Sequence, residues 1–197
     1  MGRNLEFDHN QVLNRAMQVF REKGYEKTSI KELEKATGLS SGSLYNSFGG
    51  KQALFAAVMQ HYNTTVVQQR IKHYLEEAFD PLQGIKNLFH SLLNEPGKTS
   101  YGCLLTNTAV EFNNHSTVVT QDLDTGFKLL ESGFRNQLRK CHGMGLVSTE
   151  TCPEQTALQL LVFYQGILVF VRSGLRHREV TLLINKTLNQ ILGGKAL

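Results

Sequence analysis

The sequence predicts an all-α chain of about nine helices, and three observations carry that expectation. Apolar residues recur at three- and four-residue spacing along almost the whole chain, while period-two alternation is nearly absent. Only 3 prolines interrupt 197 residues, so few positions forbid a helical N–H bond. Hydrophobic residues at 41% and charged residues at 19% are the composition of a folded chain with a core.

The first helix is expected from Asn10 to Lys23, with Leu13, Ala16, Met17 and Phe20 as its apolar stripe and Gly24 as its stop. The second starts at Ser29, which with Glu32 forms an S-x-x-E capping box. Its stripe is Ile30, Leu33 and Ala36, and Gly38 ends it. The third is short, Ser41 to Phe48, with Leu44 and Phe48 turned inward and Gly49–Gly50 closing it. A fourth runs from Lys51 to about Ala78, and Asp80–Pro81 opens a fifth that reaches about Asn94. After a loop over Glu95–Ser100, helices follow at Tyr101–Phe112, Ser116–His142, Pro153–Gly174 and Glu179–Leu192. Asn113–Asn114 and Gly143–Met144–Gly145 supply the breaks. Residues 1–50 thus make a small three-helix unit, and residues 51–197 a larger helical body that opens with a connecting helix.

Charge bounds the partners only loosely. The net charge is +4 and the isoelectric point about 9.0, which permits nucleic-acid binding without demanding it. Residues 1–51 hold eight Lys/Arg against six Asp/Glu, a net of +2, so any DNA reading rests on the motif. Cys103, Cys141 and Cys152 lack C-x-x-C spacing, which argues against a disulfide scaffold or zinc site. The seven histidines show no ligand spacing, and no Ser-His-Asp set, phosphate-cradling glycine loop or paired carboxylates stand out. Neither an enzyme nor a metal or cofactor is expected. Residues 1–10 are polar, and the apolar stretch Leu158–Val171 is interrupted by Gln159, Gln165 and Gly166, so a cytoplasmic protein without a membrane span is expected.

The sharpest motif is a helix-turn-helix over residues 29–48. Two short helices joined by Gly38-Leu39-Ser40-Ser41 are the minimal shape that presents one helix to a major groove. With Leu44 and Phe48 inward, Ser43, Tyr45 and Asn46 face outward and Gly42 lies at the lip. Small polar groups and an aromatic on one face suit base edges and phosphates. Lys51 stands in the first turn of a helix, against the macrodipole, a conflict that a bound phosphate removes. Thr28 and Ser29 offer hydroxyls and backbone N–H groups for another phosphate. The same residues would also serve as a polar inter-helix loop, with Tyr45 half-buried.

These residues resemble the tetracycline-repressor (TetR) family. The similarity runs from Val12-Leu13, Ala16 and Phe20 through Lys23-Gly24-Tyr25 and Thr28-Ser29-Ile30, then Leu33, Ala36 and Gly38-Leu39. It continues with Gly42-Ser43-Leu44-Tyr45-Asn46-Ser47-Phe48, Lys51 and Leu54, and so covers about Phe7 to Tyr62. The resemblance implies a homodimeric repressor of a palindromic DNA operator, with a C-terminal ligand-binding and dimerisation domain and release by a small-molecule inducer. By matching position it implies DNA contacts at Thr28, Ser41, Gly42, Ser43, Tyr45, Asn46 and Lys51, with Tyr45 and Lys51 on phosphates and Ser43 and Asn46 nearer the bases. Gly49–Gly50 stand where many members carry a polar or charged pair. Tyr101-Gly102-Cys103-Leu104-Leu105, with Asn107 and Glu111, is similar to a branch whose members in part sense electrophiles or oxidants through that cysteine.

In the larger body two readings stand side by side. Phe89, Leu93, Tyr101, Cys103, Asn107, Phe127, Phe134 and Tyr164 are the candidate ligand-pocket residues, or else packed core. Cys103, near a helix N-terminus, is a candidate thiol sensor if accessible, or else a buried packing residue. The last two helices are apolar enough to bury a dimer interface as well as a core, with Leu183 and Leu188 expected at the interface. A helical interaction module without DNA binding is the alternative from another class.

Overall fold

A computed structural model of the chain describes residues 7–93, 101–111, 117–174 and 177–193. The described residues form helices and turns, with no strand among them. The helices are α1 His9–Lys23, α2 Ile30–Thr37 and α3 Ser41–Phe48. A continuous helical rod over 51–76 follows, here α4, then α5 Pro81–His90, α6 Leu104–Glu111, α7 Thr117–Gly143, α8 Pro153–Ser173 and α9 His177–Ile191. The all-α fold expected from periodicity is the fold observed. The expected loop at 95–100 and the break at Asn113–Asn114 lie outside the described residues.

The expected signals set the N-terminal unit. Asp8 caps α1 by accepting from the N–H groups of Asn10 and Gln11. Ser29 and Glu32 close the capping box in both directions. Hydrogen bonds from Lys23 and from Ser29 hold the Glu32 carboxyl down at about 2. The box therefore contributes fully above the ordinary carboxylate value of 4.5 and is lost as pH falls through about 2. Gly38 takes the left-handed conformation (φ 79°) that lets α2 stop and α3 cross it. Ala16, Met17 and Phe20 of α1 meet Leu33 of α2, Leu44 of α3 and Leu54, Phe55 and Val58 of α4 in one core, and Val12 of α1 is buried as well. Phe20 and Phe55 stand edge to face, ring centroids 4.8 Å apart.

The rod α4 carries that core into the larger body. It changes register at two π-helical stretches, Asn63–Val67 and Lys72–Glu76. At the first, the N–H of Gln68 donates to the carbonyl of Asn63, five residues back. The buried face accordingly steps from Tyr62 to Val67, then to Ile71 and Leu75. An unbroken α-helix would put Val66, four residues after Tyr62, in that place. Gly84 in α5 makes the tightest approach to the rod: a Cβ there would lie 2.6 Å from the Tyr74 carbonyl oxygen and 2.7 Å from the Ala78 methyl. Gly84→Ala should therefore cost about 2 kcal/mol and lower Tm by roughly 4–8 °C. An unchanged melting curve would refute that contact.

Helix α8 is 21 residues long with a mean hydropathy of 1.4, long and apolar enough by length and composition to cross a membrane. The helix has the bounds expected from the sequence, but the expectation that its apolar stretch Leu158–Val171 is too short and too polar to span does not hold for the whole helix, which Pro153 opens and Gly174 caps. Ala157, Leu160, Leu161, Tyr164, Ile167 and Leu168 lie buried along it, in the same core as Leu130, Phe134 and Leu138 of α7. Leu158, Val162, Val169 and Phe170 stay exposed on the other side, and so do Leu182 and Leu183 of α9. The expected pairing of Leu183 and Leu188 at an interface does not hold. Leu188 is 1% exposed and belongs to the core face of α9 with Val180 and Ile184, one helical turn apart, whereas Leu183 faces outward.

Candidate DNA-binding site

Helix α3 is built to present one face. Ser40 is its N-cap: its hydroxyl accepts from the N–H of Ser43. The Ser41 N–H is held by the Glu34 carboxylate of α2, which ties the two helices together at the turn. Leu44 is buried and Phe48 half-buried against Phe7 and His9. Gly42, Tyr45 and Asn46 are exposed, and Ser43 is half-exposed with its hydroxyl 3.0 Å from that of Ser40. Tyr45 is 54% exposed, as a residue that reaches outward must be.

Gly49 and Gly50 do more than end the helix. Gly49 is the left-handed C-cap, and Gly50 (φ 116°) is buried beneath Tyr45. A Cβ on Gly50 would sit 3.1 Å from the Tyr45 ring, so this glycine is the bed on which the tyrosine lies. Gly50 also gives α4 no side-chain cap. The helix thus starts with its positive end open to an anion.

Lys51 lies beside that open end and is aimed by two neighbours. Its Nζ stands 4.3 Å from the centroid of the Tyr25 ring and 3.4 Å from the carbonyl oxygen of Glu26. Both contacts place the ammonium without neutralising it. The Tyr25–Glu26 turn is itself held from the larger body. The Glu111 carboxylate of α6 accepts from the N–H groups of Tyr25 and Glu26, each at 2.8 Å. Gly24, left-handed at φ 82°, leaves room for that carboxylate.

Two expected contacts change role. Thr28 is 1% exposed, and its hydroxyl donates to the Gly24 carbonyl at 2.6 Å. Its side chain is a turn-locking group turned away from solvent. Ser29 is exposed, but its hydroxyl is engaged with Glu32 in the capping box. The surface that faces outward is therefore Ser41, Gly42, Ser43, Tyr45, Asn46 and Lys51. Tyr25 and Glu111, which position Lys51, were not singled out as site residues by the sequence reading. Lys51 and Tyr25 are 26 positions apart, and nothing local pairs them.

Comparison with known proteins agrees with this geometry. Residues 12–58 match the family described as bacterial regulatory proteins, tetR family. The HTH-type transcriptional regulator YezE of Bacillus subtilis is 31% identical over 157 residues, 76% of this chain and 78% of YezE. The chain belongs to the TetR family. The HTH-type transcriptional repressor DhaR of a Mycobacterium species is 27% identical over 169 residues, 85% of this chain and 83% of DhaR. A cysteine-substituted form of the TetR-family regulator CifR, solved with a 26-base-pair operator DNA, superposes with a TM-score of 0.83 at 25% identity, covering 95% of this chain and 98% of that one.

In this TetR-family chain the expected ligand-pocket residues separate. Phe89 and Phe134 are fully buried and stack into an aromatic core with Phe163 and Tyr164, with Phe89 5.3–5.8 Å from each of the others. Leu93 and Phe127 are half-buried packing residues. Cys103 and Tyr164 do line a cavity of about 30 Å³, together with Tyr62, Val66, Val67, Arg70, Leu92, Gly102, Leu130 and Leu168.

Tyr101 and Asn107 belong to a different device. Helix α6 starts at Leu104, later than the expected Tyr101, because Gly102 turns left-handed (φ 69°) and its carbonyl is drawn to α1. The Arg21 guanidinium donates to that carbonyl twice, at 3.1 and 2.7 Å. The Asn107 amide donates to the carbonyls of Arg21 and Tyr101.

Cys103 is 6% exposed, and its sulfur accepts the hydroxyl of Tyr62 at 3.3 Å. The access that a thiol sensor needs is absent in this arrangement, and the exposed thiol is Cys152. Burial pushes the Cys141 thiol up to about 11.

The Glu111 clamp makes a direct prediction. Hydrogen bonds to a charged acceptor contribute about 1.5–3 kcal/mol each. Glu111→Ala should speed hydrogen exchange at the Tyr25 and Glu26 amides by roughly tenfold or more, measured by NMR. Unchanged exchange at both would remove Glu111 from the link to Lys51.

Proposed function

We propose that this chain is a transcriptional repressor that binds an inverted-repeat operator as a homodimer in the cytoplasm and is released by a small-molecule inducer. In this reading residues 1–50 carry DNA recognition, and residues 51–197, starting with α4, carry regulation and dimerisation. The observation that carries it is Tyr45 and Lys51 standing together at the uncapped N-terminus of α4, beside the outward Ser43 and Asn46 of α3. Tyr45 and Lys51 bind phosphates and set register, and Ser43 and Asn46 approach base edges.

Dimerisation is supported by the outward apolar row Leu158, Val162 and Val169 on α8, with Leu182 and Leu183 on α9. Leu158, Val162 and Val169 are four and seven residues apart, so they share one helix face. Nothing packs within 4 Å of a Cβ built on Gly166, which leaves the middle of that row open for close approach. Repression is supported by relatives that carry that description, DhaR and the repressor ComR of Escherichia coli. The chain carries no enzymatic role in this reading.

A reporter driven by the DNA upstream of this protein's own gene tests it. Deleting the protein should raise expression, and restoring it should lower it again. A reporter that falls on deletion would make the protein an activator. A helical interaction module without DNA binding predicts no change, and the intact Tyr45–Lys51 pair speaks against that alternative.

A further inference from the structure

The inducer reading leaves open what chemistry the regulatory body recognises, and Arg70 answers that. Its guanidinium, always charged, is half-buried on α4. It donates to the phenol oxygen of Tyr164 at 3.2 Å and to the Ser91 hydroxyl, and lies 5.4 Å from the Tyr74 ring. All of these partners are neutral. Among the described residues no carboxylate stands within ion-pair distance of it. A cation drawn out of water without an anion is an unfinished arrangement, because desolvation is offset best by a charged acceptor.

The cavity beside Arg70 has the lining of a small-molecule site, though not the volume of one. Its polar groups are few, chiefly Arg70 and the Tyr62 and Tyr164 phenols, and Val66, Leu130 and Leu168 are among its apolar walls. At about 30 Å³ it holds about what one water occupies in the liquid, which is the scale of a carboxylate head. The π-helical stretch Asn63–Val67 borders it, and such stretches recur at functional sites. Its far wall is Gly102–Cys103, and the Gly102 carbonyl is the group that Arg21 of α1 grips.

Building on the inducer reading, we infer that this cavity receives the carboxylate of a small monoanionic ligand, paired with the Arg70 guanidinium and its apolar body pressing on Gly102–Cys103. The planar fork of the guanidinium matches a carboxylate through two parallel N–H bonds. The body of the ligand exceeds the present cavity, so the wall must move. Moving Gly102 loosens the grip on Arg21 and shifts α1 against the larger body. That changes the orientation of α3 and so favours a DNA-free state.

The test compares carboxylates with their neutral amides: acetate with acetamide, hexanoate with hexanamide, benzoate with benzamide. At least one acid should raise Tm by roughly 5 °C or more at a hundredfold excess over its Kd, while its amide does not. Arg70→Gln should weaken that acid at least tenfold in calorimetry, Arg70→Lys should retain part of the binding, and Tyr164→Phe should weaken it without altering the fold by circular dichroism. No acid outperforming its amide, or full acid binding in Arg70→Gln, overturns the site. A mobility shift separates this from the inducer reading. An acid that binds through Arg70 but leaves operator affinity unchanged keeps the site and removes its inducer role. Release by a neutral compound that is equally effective in Arg70→Gln keeps the inducer role and removes the site.

Discussion

The double substitution Tyr45→Ala/Lys51→Ala should weaken operator binding roughly a thousandfold at fixed low salt, because a dimer would lack four phosphate hydrogen bonds that contribute about 1 kcal/mol each. The effect should be nearly the same on operator and on unrelated DNA, because phosphate contacts position the protein without reading bases. The salt dependence is the sharper readout. Removing two lysines from the dimer should reduce the slope of log K against log salt by about 1.8. Asn46→Ala should behave differently, narrowing the gap between operator and unrelated DNA while leaving the slope alone. Fluorescence anisotropy over a salt series measures all three quantities. Wild-type affinity and slope in a folded Lys51→Ala protein would show that Tyr25 and Glu26 hold that lysine for a structural purpose only.

The second large effect concerns assembly. Val162→Asp combined with Leu183→Asp should convert the proposed dimer to a monomer at micromolar concentration, since each charge would be buried unpaired in the proposed α8–α9 interface. Both side chains are exposed in the single chain, Val162 at 65% and Leu183 at 48%, so the monomer should keep its helical content. Operator binding should fall with it, because one half-site supplies only half of the contacts. Leu188→Asp should instead unfold the chain, because Leu188 is core. Light scattering with circular dichroism distinguishes the two outcomes. A double variant that stays dimeric would move the interface elsewhere.

Much of the N-terminal unit was legible because its signals are local. The Ser29–Glu32 capping box, the left-handed Gly38 and the inward Leu44 each follow from residues within a few positions of one another. The helix pattern of the larger body was legible for the same reason. What stayed hidden depends on contacts across the chain. Glu111 reaches back 85 and 86 residues to the amides of Glu26 and Tyr25, and Arg21 reaches forward 81 residues to Gly102. The pull on Gly102 is also why α6 begins three residues later than its periodicity suggests. Thr28 reads as an exposed helix-start hydroxyl until the Gly24 carbonyl is seen to claim it. Among the aromatics, spacing placed Phe89, Phe134 and Tyr164 inside, but only packing separates Tyr164, on the cavity wall, from its two core neighbours. Leu188 failed as an interface residue because an amphipathic helix that serves both a core and an interface has two apolar faces, and periodicity alone does not tell them apart.

Hydroxyl-radical footprinting on the DNA upstream of the protein's own gene tests the central claim most directly, namely that α3 and Lys51 form an operator-reading surface presented twice by a dimer. The account predicts two protected segments with inverted-repeat sequence, their centres about one helical turn or a whole multiple of it apart. Protection should vanish in Tyr45→Ala/Lys51→Ala. Protection that is uniform along the DNA, confined to one half-site, or unchanged in that variant would contradict it.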